Sequence, residues 1–435
     1  MSLYIGIDIG TSGVRALAID SEGKPAGEAA QELPAPERQG LAVWQEAECW
    51  WQATRQVLTR LLCGLDPGRV ESLAFNGTSG TLLLTAADGQ PLAPALMYND
   101  ARAVEAMKAI EHVAPANSAA RGTGSSLARL LHLQRHHPRA RHALHQADWL
   151  AGRMSGHWGF SDHNNALKLG YDPQALCWPD WLSKLGVDER LLPQVTAPGT
   201  ALHTIDLRIA HEFGLRPDVR IVAGTTDGVA AFMATGAREI GDAVTSLGST
   251  LVLKVVSDTG TWAAEYGVYS HRFEGRWLAG GASNSGGAVL LQFFDQATMR
   301  ALTPRLRPDH PTGLGYYPLP HRGERFPSNN PAQLSRTLPR PKDDALFFQA
   351  LLEGIASIEH DGYRRLQALG APYPKRIRTA GGGAVNAAWT EIRRRCLGTE
   401  MVASAHTAAA YGTALLALRG AASSPAQPKP QTLDP

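Results

Sequence analysis

Cysteine is scarce in this chain: there are four in 435 residues (Cys49, Cys63, Cys177 and Cys396), and no two stand in a C-x-x-C spacing. That excludes a disulfide-stapled scaffold or a cysteine zinc site as the organising feature, and makes a reducing compartment the expectation. No apolar stretch approaches the roughly 20 residues a membrane helix needs. The opening residues MSLYIGIDIGTSG carry an aspartate at position 8 and lack the basic head and apolar stretch of a secretory leader. A cytoplasmic protein is expected. Charge of one sign is also missing: 42 Lys and Arg face 40 Asp and Glu, for a formal net charge of +2. Such a balance offers no field for nucleic acid or an anionic membrane, so neither is expected as a partner. There is no G-x-x-x-x-G-K-[ST] segment, which excludes a P-loop nucleotide site.

What is present is ordinary globular material, 44% hydrophobic and 19% charged, and long enough for two domains. Leu3–Ile7 reads as a buried strand, followed by the turn Asp8-Ile-Gly-Thr-Ser-Gly13 and a second strand from Val14 to Ile19. Asp20–Gly23 turns into a third. Helical spacing runs from Trp44 to Leu62, and again over Ser125–Arg135 and Asp148–Met154. Val70–Phe75, Thr81–Thr85 and Val219–Ala223 are strand candidates, and Val229–Thr235 opens a helix. Near Ile240 the pattern restarts. Asp242–Thr250 ends in a Gly/Ser/Thr turn, and Leu251–Val256 follows as a strand, which suggests an internal repeat. Asp344–Leu369 is a long helix and Ile377–Ala380 a strand. The Pro-, Ser- and Ala-rich end, 421–435, reads as a disordered tail.

Four small-residue loops punctuate these elements. In Asp8-Ile-Gly-Thr-Ser-Gly13, glycines let a ligand approach the backbone, and amides with two hydroxyls suit phosphate oxygens. A strand-end Asp can hold Mg²⁺ through water; the same segment also suits a plain hairpin turn. Gly224-Thr-Thr-Asp-Gly228 puts a carboxylate at a helix start, as a cap or as an acceptor for a substrate proton. Gly281–Gly287 and Gly381–Ala384 are two further glycine clusters, each before a helix-like segment. Their distribution over both halves argues for ligand-binding loops rather than four unrelated turns.

With these residues in hand, the chain resembles the FGGY carbohydrate kinases over nearly its whole length, up to about Arg419. Asp8-Ile-Gly-Thr-Ser12 is similar to the family's first phosphate motif, and Thr245-Ser-Leu-Gly-Ser-Thr250 to its second. Tyr98-Asn-Asp-Ala-Arg102, Ser125–Leu133, Ala147-Asp-Trp-Leu150, Leu351–Ile355 and Ala380-Gly-Gly-Gly-Ala384 resemble further landmarks. Asn76–Gly80, Asn165–Tyr171 and Gly315–Phe326 look like the short pentulose kinases of cyanobacteria and plants, described as D-ribulose kinases or xylulose-kinase-like proteins. One departure is Asn76, where that subgroup leads one to expect Asp; it is expected to alter how the sugar loop is held and not to touch the phosphate machinery.

The resemblance implies an α/β, two-lobed actin-like ATPase (ribonuclease H-like) fold: duplicated mixed β-sheet domains flanked by helices with a cleft between. Residues 1–234 would form the sugar-binding N-terminal domain, completed by a helix around 408–420, and residues 235–407 the nucleotide-binding domain. The implied activity is ATP-dependent phosphorylation of a pentulose's terminal hydroxyl, with D-ribulose to D-ribulose 5-phosphate favoured over D-xylulose or another ketose or polyol. Asp227 would be the general base and a sugar ligand, Asp8 a substrate contact, and Asp8 and Asp227 the holders of Mg²⁺. Thr78 and Ser79 would bond the sugar. Gly10, Thr11 and Ser12 would contact the transferring phosphate, Gly248, Ser249 and Gly287 the ATP phosphates, and Gly382, Gly383 and Asn386 the adenosine. The reading from another class is a non-catalytic ATPase clamp on the same fold. It is disfavoured by Asp227 in its motif and by the Thr/Ser loop. Other features read as structural: His132, His136, His137, His142 and His145 as a solvated surface, Trp44, Trp50 and Trp51 mainly as core, and Cys396 as a small buried residue.

Overall fold

The structure is a computed structural model that describes residues 1–122 and 124–422. The chain divides into two compact units. The first comprises Met1–Ala114, Ala120–Ala234 and the chain from Ala408; the second comprises Thr235–Thr407 together with Pro115–Ala119. Most of the expected tail lies outside the described residues.

The first unit is built on a mixed sheet. Strands β1 (Leu3–Ile9), β2 (Gly13–Asp20) and β3 (Pro25–Glu32) form an antiparallel meander. Strand β4 (Val70–Gly77) runs parallel to β1, β6 (Arg220–Thr226) parallel to β4, and β5 (Ala201–Thr204) closes the far edge. All residues of β1 are buried, as expected of a strand covered on both faces. Ile5 and Ile7 join a core with Trp50, Val57, Leu58 and Leu61 of helix α1 (Ala47–Leu62).

The opposite face of β1 carries Gly6, and there the C-terminal helix Ala409–Ala422 lies directly on the strand backbone. A Cβ at Gly6 would sit 2.1 Å from the Ala410 carbonyl oxygen. That helix is therefore an integral layer of the first unit; it runs through 421 and 422, which the sequence assigned to the tail.

A second, five-stranded sheet adjoins, made of Glu37–Gln39, Ala42–Gln45, Ala95–Leu96, Leu82–Thr85 and His142–His145. Helix α2 (Ser126–Gln134) covers it through Leu127, Leu130 and Leu131. Helix α3 (Gln146–Ser155) follows His145, and α4 (Asp227–Ala234) follows β6 without a break. Trp44 is not helical: it pairs with Leu96 in this sheet, because Glu46 is extended and the helix begins only after it.

The second unit has its own mixed sheet: β7 (Asp242–Leu247), β8 (Leu251–Ser257), β9 (Tyr269–Phe273), β10 (Arg276–Ser283), β11 (Arg376–Ala380) and β12 (Glu400–Val402), in the order β9-β10-β8-β7-β11-β12. β7 pairs antiparallel with β8 and parallel with β11, as β1 does with β2 and β4. The repeat seen in the sequence is thus architectural. Helices α5 (Gln296–Leu302), α6 (Asp344–Ala368) and α7 (Ala387–Leu397) complete the unit, with Phe347, Phe348, Leu351 and Ile355 of α6 in its core.

Two further structural expectations fail. Cys396 is exposed, because α7 turns Trp389, Ile392, Arg393 and Leu397 inward and leaves position 396 outside that face. His145 is not part of a solvated surface. It is fully buried, with Nδ1 3.1 Å from the Asp148 carboxylate and Nε2 3.2 Å from Ser126 Oγ. Among the described residues no helix is long and apolar enough to cross a membrane.

Candidate active site

In the first unit the chemistry-bearing residues gather at the ends of β1, β4 and β6. Cross-strand register places Asp8 opposite Asn76, and Asn76 opposite Thr225. Asp227 follows two residues later as the first residue of α4. Asp8 is 7% exposed. Its carboxyl is pushed up to about 6, first by burial and then by the negative charge of Asp227. Arg15 (3.6 Å away) and a hydrogen bond from Asn76 pull the other way. Asp227 is half-buried, and its Oδ1 accepts the Gly228 N–H at 2.7 Å. Gly10, Thr11 and Ser12 form the turn between β1 and β2, closed by the Gly10 N–H to the Gly13 carbonyl at 2.9 Å. Thr11 is half-buried and Ser12 exposed.

Asn76 was expected to leave the phosphate machinery alone, but register and hydrogen bonding put it beside Asp8. Its amide nitrogen also donates to Thr413 Oγ1 at 2.6 Å, and its Oδ1, fully buried, has no protein partner among the described residues. The Asp8 carboxylate, electrostatically coupled to Asp227, lies beside an unsatisfied amide oxygen, and together these form a hard-oxygen donor set that fits a divalent cation such as Mg²⁺.

Thr78 and Ser79 follow β4. Thr78 is buried and bonded to Gln146, while Ser79 is half-buried and its carbonyl lies 3.4 Å from Lys168 Nζ. Arg129 clasps this loop to the next: its guanidinium donates to the carbonyls of Gly80 (3.3 Å), Tyr98 (2.5 Å) and Asp100 (2.9 Å). The sequence reading did not single out Arg15, Gln146 or Arg129 as site residues.

Asp162 is a further carboxylate that the sequence did not flag. It is fully buried and accepts the N–H groups of Asn164 (2.8 Å) and Asn165 (3.2 Å) and the Asn165 side-chain amide (2.6 Å). Asn164 in turn donates to Thr225 Oγ1 at 3.0 Å, two residues before Asp227. Burial, and secondarily the charge of Asp148, push the Asp162 carboxyl up to about 7. The folded protein therefore keeps a proton that the unfolded chain sheds near pH 4, and this contribution to stability is lost as pH rises through about 7. Asp162→Asn removes the dependence. Its new amide is met by rotating Asn165, whose Oδ1 has no protein partner among the described residues. Denaturant unfolding is expected to show the variant gaining on the wild type by up to about 3 kcal/mol between pH 5 and pH 8; a pH-independent difference would refute this.

In the second unit the six remaining sequence-derived residues line one cavity of about 610 Å³. Gly248 and Ser249 leave β7, and Gly287 follows β10. The loops are joined by the Gly287 N–H to the Gly248 carbonyl (2.8 Å) and the Ala288 N–H to the Ser249 carbonyl (3.1 Å). Gly382 and Gly383 follow β11, the strand paired with β7, and Leu290, Met299, Phe348 and Trp389 supply apolar surface. Asn386 reaches the wall, but its side chain is engaged: Oδ1 accepts the Trp389 N–H at 3.0 Å, capping α7, and Nδ2 donates to Thr303 Oγ1 at 3.3 Å. An apolar cavity bordered by glycine turns has the composition of a nucleoside-phosphate site. Arg300, Gln296 and Thr303, all on this wall, were not anticipated.

This duplicated α/β architecture, with one mixed sheet in each unit, is that of the actin-like ATPase fold. Residues 3–234 match the model for the FGGY family of carbohydrate kinases, N-terminal domain, and residues 243–421 that for the C-terminal domain. The chain belongs to the FGGY family of carbohydrate kinases. It is 25% identical to the xylulose kinase of Escherichia coli K12 over 407 residues, 90% of this chain and 84% of that one. It is 27% identical to the xylulose kinase of Klebsiella pneumoniae over 400 residues, 88% and 82% of the two chains. In fold it resembles the crystal structure of a xylulose kinase from Brucella ovis, with a TM-score of 0.88 at 24% identity over 96% of this chain and 90% of that one.

Proposed function

We propose that this chain is an ATP-dependent pentulose kinase that transfers the γ-phosphoryl group of ATP to the terminal hydroxyl of D-ribulose, giving D-ribulose 5-phosphate and ADP. The observation that carries the reading is the grouping of Asp8, Asp227 and the Thr78–Ser79 loop at adjacent strand ends of one unit. Asp227 takes the hydroxyl proton as that oxygen attacks the γ-phosphorus and the bond to the bridging oxygen of ADP breaks. Thr78 and Ser79 orient the sugar, and Gly10, Thr11 and Ser12 receive the transferring phosphate. Gly248, Ser249 and Gly287 bind the ATP phosphates, and Gly382 and Gly383, with Asn386 behind them, bracket the adenosine. Mg²⁺, held by Asp8 and Asp227, supplies charge neutralisation at the phosphates. D-ribulose is favoured by the Thr78–Ser79 pair, which resembles the short D-ribulose kinases. The second reading, D-xylulose, is supported by the names of the curated relatives.

A coupled ADP-release assay with Mg-ATP and D-ribulose, D-xylulose, L-ribulose, ribitol or glycerol, against a no-sugar blank, tests both. The expected result is the highest kcat/KM with D-ribulose. A higher value with D-xylulose replaces the substrate and keeps the mechanism. ADP release indifferent to every sugar overturns the kinase reading.

A further inference from the structure

The buried amide of Gln146 fixes which kind of group the sugar loop can accept. Gln146, the first residue of α3, is fully buried, and one end of its amide lies 3.1 Å from the backbone nitrogen of Thr78. A backbone N–H only donates, so the facing atom is Oε1 and the amide orientation is determined. The same Oε1 lies 3.1 Å from Thr78 Oγ1. An amide oxygen has no hydrogen, so the Thr78 hydroxyl is the donor there. Thr78 Oγ1 is also 2.6 Å from Thr81 Oγ1, which accepts the Tyr98 N–H at 3.1 Å; a hydroxyl oxygen has two acceptor lone pairs, so Thr78 can take Thr81 on one and keep the other for a ligand. With its single hydrogen committed to Gln146, Thr78 must accept from Thr81. The chain of bonds runs one way, from the Tyr98 N–H through Thr81 and Thr78 to Gln146 Oε1. Tyr98 and Gln146 lie 48 residues apart in sequence, yet together they set the polarity of one hydroxyl.

The other end of the amide, Nε2, is buried with no protein partner among the described residues. Leaving a buried donor unmet costs about 1–3 kcal/mol. The position tolerates that cost while its oxygen serves two bonds, which marks the acceptor as the group that matters.

We propose that Gln146 is a positioning residue of the sugar site: together with Thr81 it locks the Thr78 hydroxyl as an acceptor, so that Thr78 receives a sugar hydroxyl and cannot serve the ketose carbonyl. This rests on the reading that the Thr78–Ser79 loop binds the sugar. Selectivity follows, because a buried hydroxyl with a committed hydrogen discriminates against any ligand group that cannot donate to it.

The test is steady-state kinetics with sugar and Mg-ATP varied separately, on the full chain. Gln146→Leu frees the Thr78 hydrogen and is expected to raise the sugar KM by about tenfold or more, the scale of a buried hydrogen bond. The ATP KM should hold and kcat should change far less. Gln146→Glu keeps an acceptor oxygen and should recover most of the affinity. Should Gln146→Leu fail to fold, Thr81→Val, nearly isosteric and one bond further from the sugar, carries the test with the same KM-specific pattern at about threefold or more. Equal losses in the sugar and ATP parameters, or a wild-type sugar KM in both Gln146→Leu and Thr81→Val, overturn the proposal. Thr78→Val and Ser79→Ala separate it from the reading beneath it. If both leave the sugar KM unchanged, the loop does not bind sugar and the two fall together. If they raise it while the Gln146 and Thr81 variants do not, only the positioning role falls.

Discussion

Replacing Asp227 with Ala is expected to lower kcat by at least ~10², the usual scale for a lost general base, with the KM for ATP little changed. Asp227→Asn should fall nearly as far, although it matches the native side chain in size and can still accept the Gly228 N–H. Comparing the two isolates basicity from shape. The carboxylate is suited to the task by where it sits. It is half-buried at the start of a helix, bonded to the Gly228 N–H, and coupled electrostatically to Asp8. Because the charge of Asp227 raises Asp8, removing it should also let the Asp8 carboxyl ionise at lower pH. Residual turnover of Asp227→Ala would then show its acid limb displaced downward. Turnover of either variant within about tenfold of wild type would remove Asp227 from the base role.

The parts of the site legible in the sequence share one property: each announces itself locally. Asp8-Ile-Gly-Thr-Ser12, Gly248-Ser249 and Gly381–Gly383 are runs of small residues at strand ends, and a run of that kind is visible without knowing what it faces. The central strands β1, β2, β4, β6, β8 and β11 likewise followed from short apolar segments, and the restart near Ile240 from the repetition of the opening hairpin. What stayed hidden depends on register between distant strands. Asn76 meets Asp8 because β4 runs parallel to β1, and meets Thr413 across 337 residues of chain. Gln146 meets Thr78 across 68. Asp162, in a polar Asp-His-Asn-Asn run, closes on its own backbone inside the core. Burial misled in both directions. His145 sat in a basic, His-rich stretch but is drawn inward by Asp148 and Ser126, and Cys396 sat in an amphipathic helix one step off the buried face.

The second large effect is expected in the second unit, where a buried ion pair supports the two glycine loops proposed to bind ATP. Arg393 and Glu359 are fully buried and bonded twice, at 2.6 and 2.7 Å. Glu359 also accepts the Thr245 hydroxyl at 2.5 Å, and Arg393 donates to Thr379 Oγ1 at 2.7 Å. Thr245 and Thr379 face each other in register on β7 and β11, just before Gly248-Ser249 and Gly381–Gly383. Arg393→Leu leaves Glu359 charged and unpaired in the core, which costs about 3–5 kcal/mol. Calorimetry should show the thermal midpoint of this unit falling by about 10 °C, given some 2–4 °C per kcal/mol at this size. The double variant Glu359→Leu/Arg393→Leu should recover most of that loss. It buries no lone charge, and Thr245 keeps its bond to the Tyr363 hydroxyl at 2.8 Å. Its ATP KM should nevertheless stay raised, because the tie from Thr379 to α7 is gone while the fold is restored. A double variant as unstable as the single would show that packing volume, not the lone charge, sets the loss. A double variant with wild-type ATP KM would show that the loops hold their geometry without the pair.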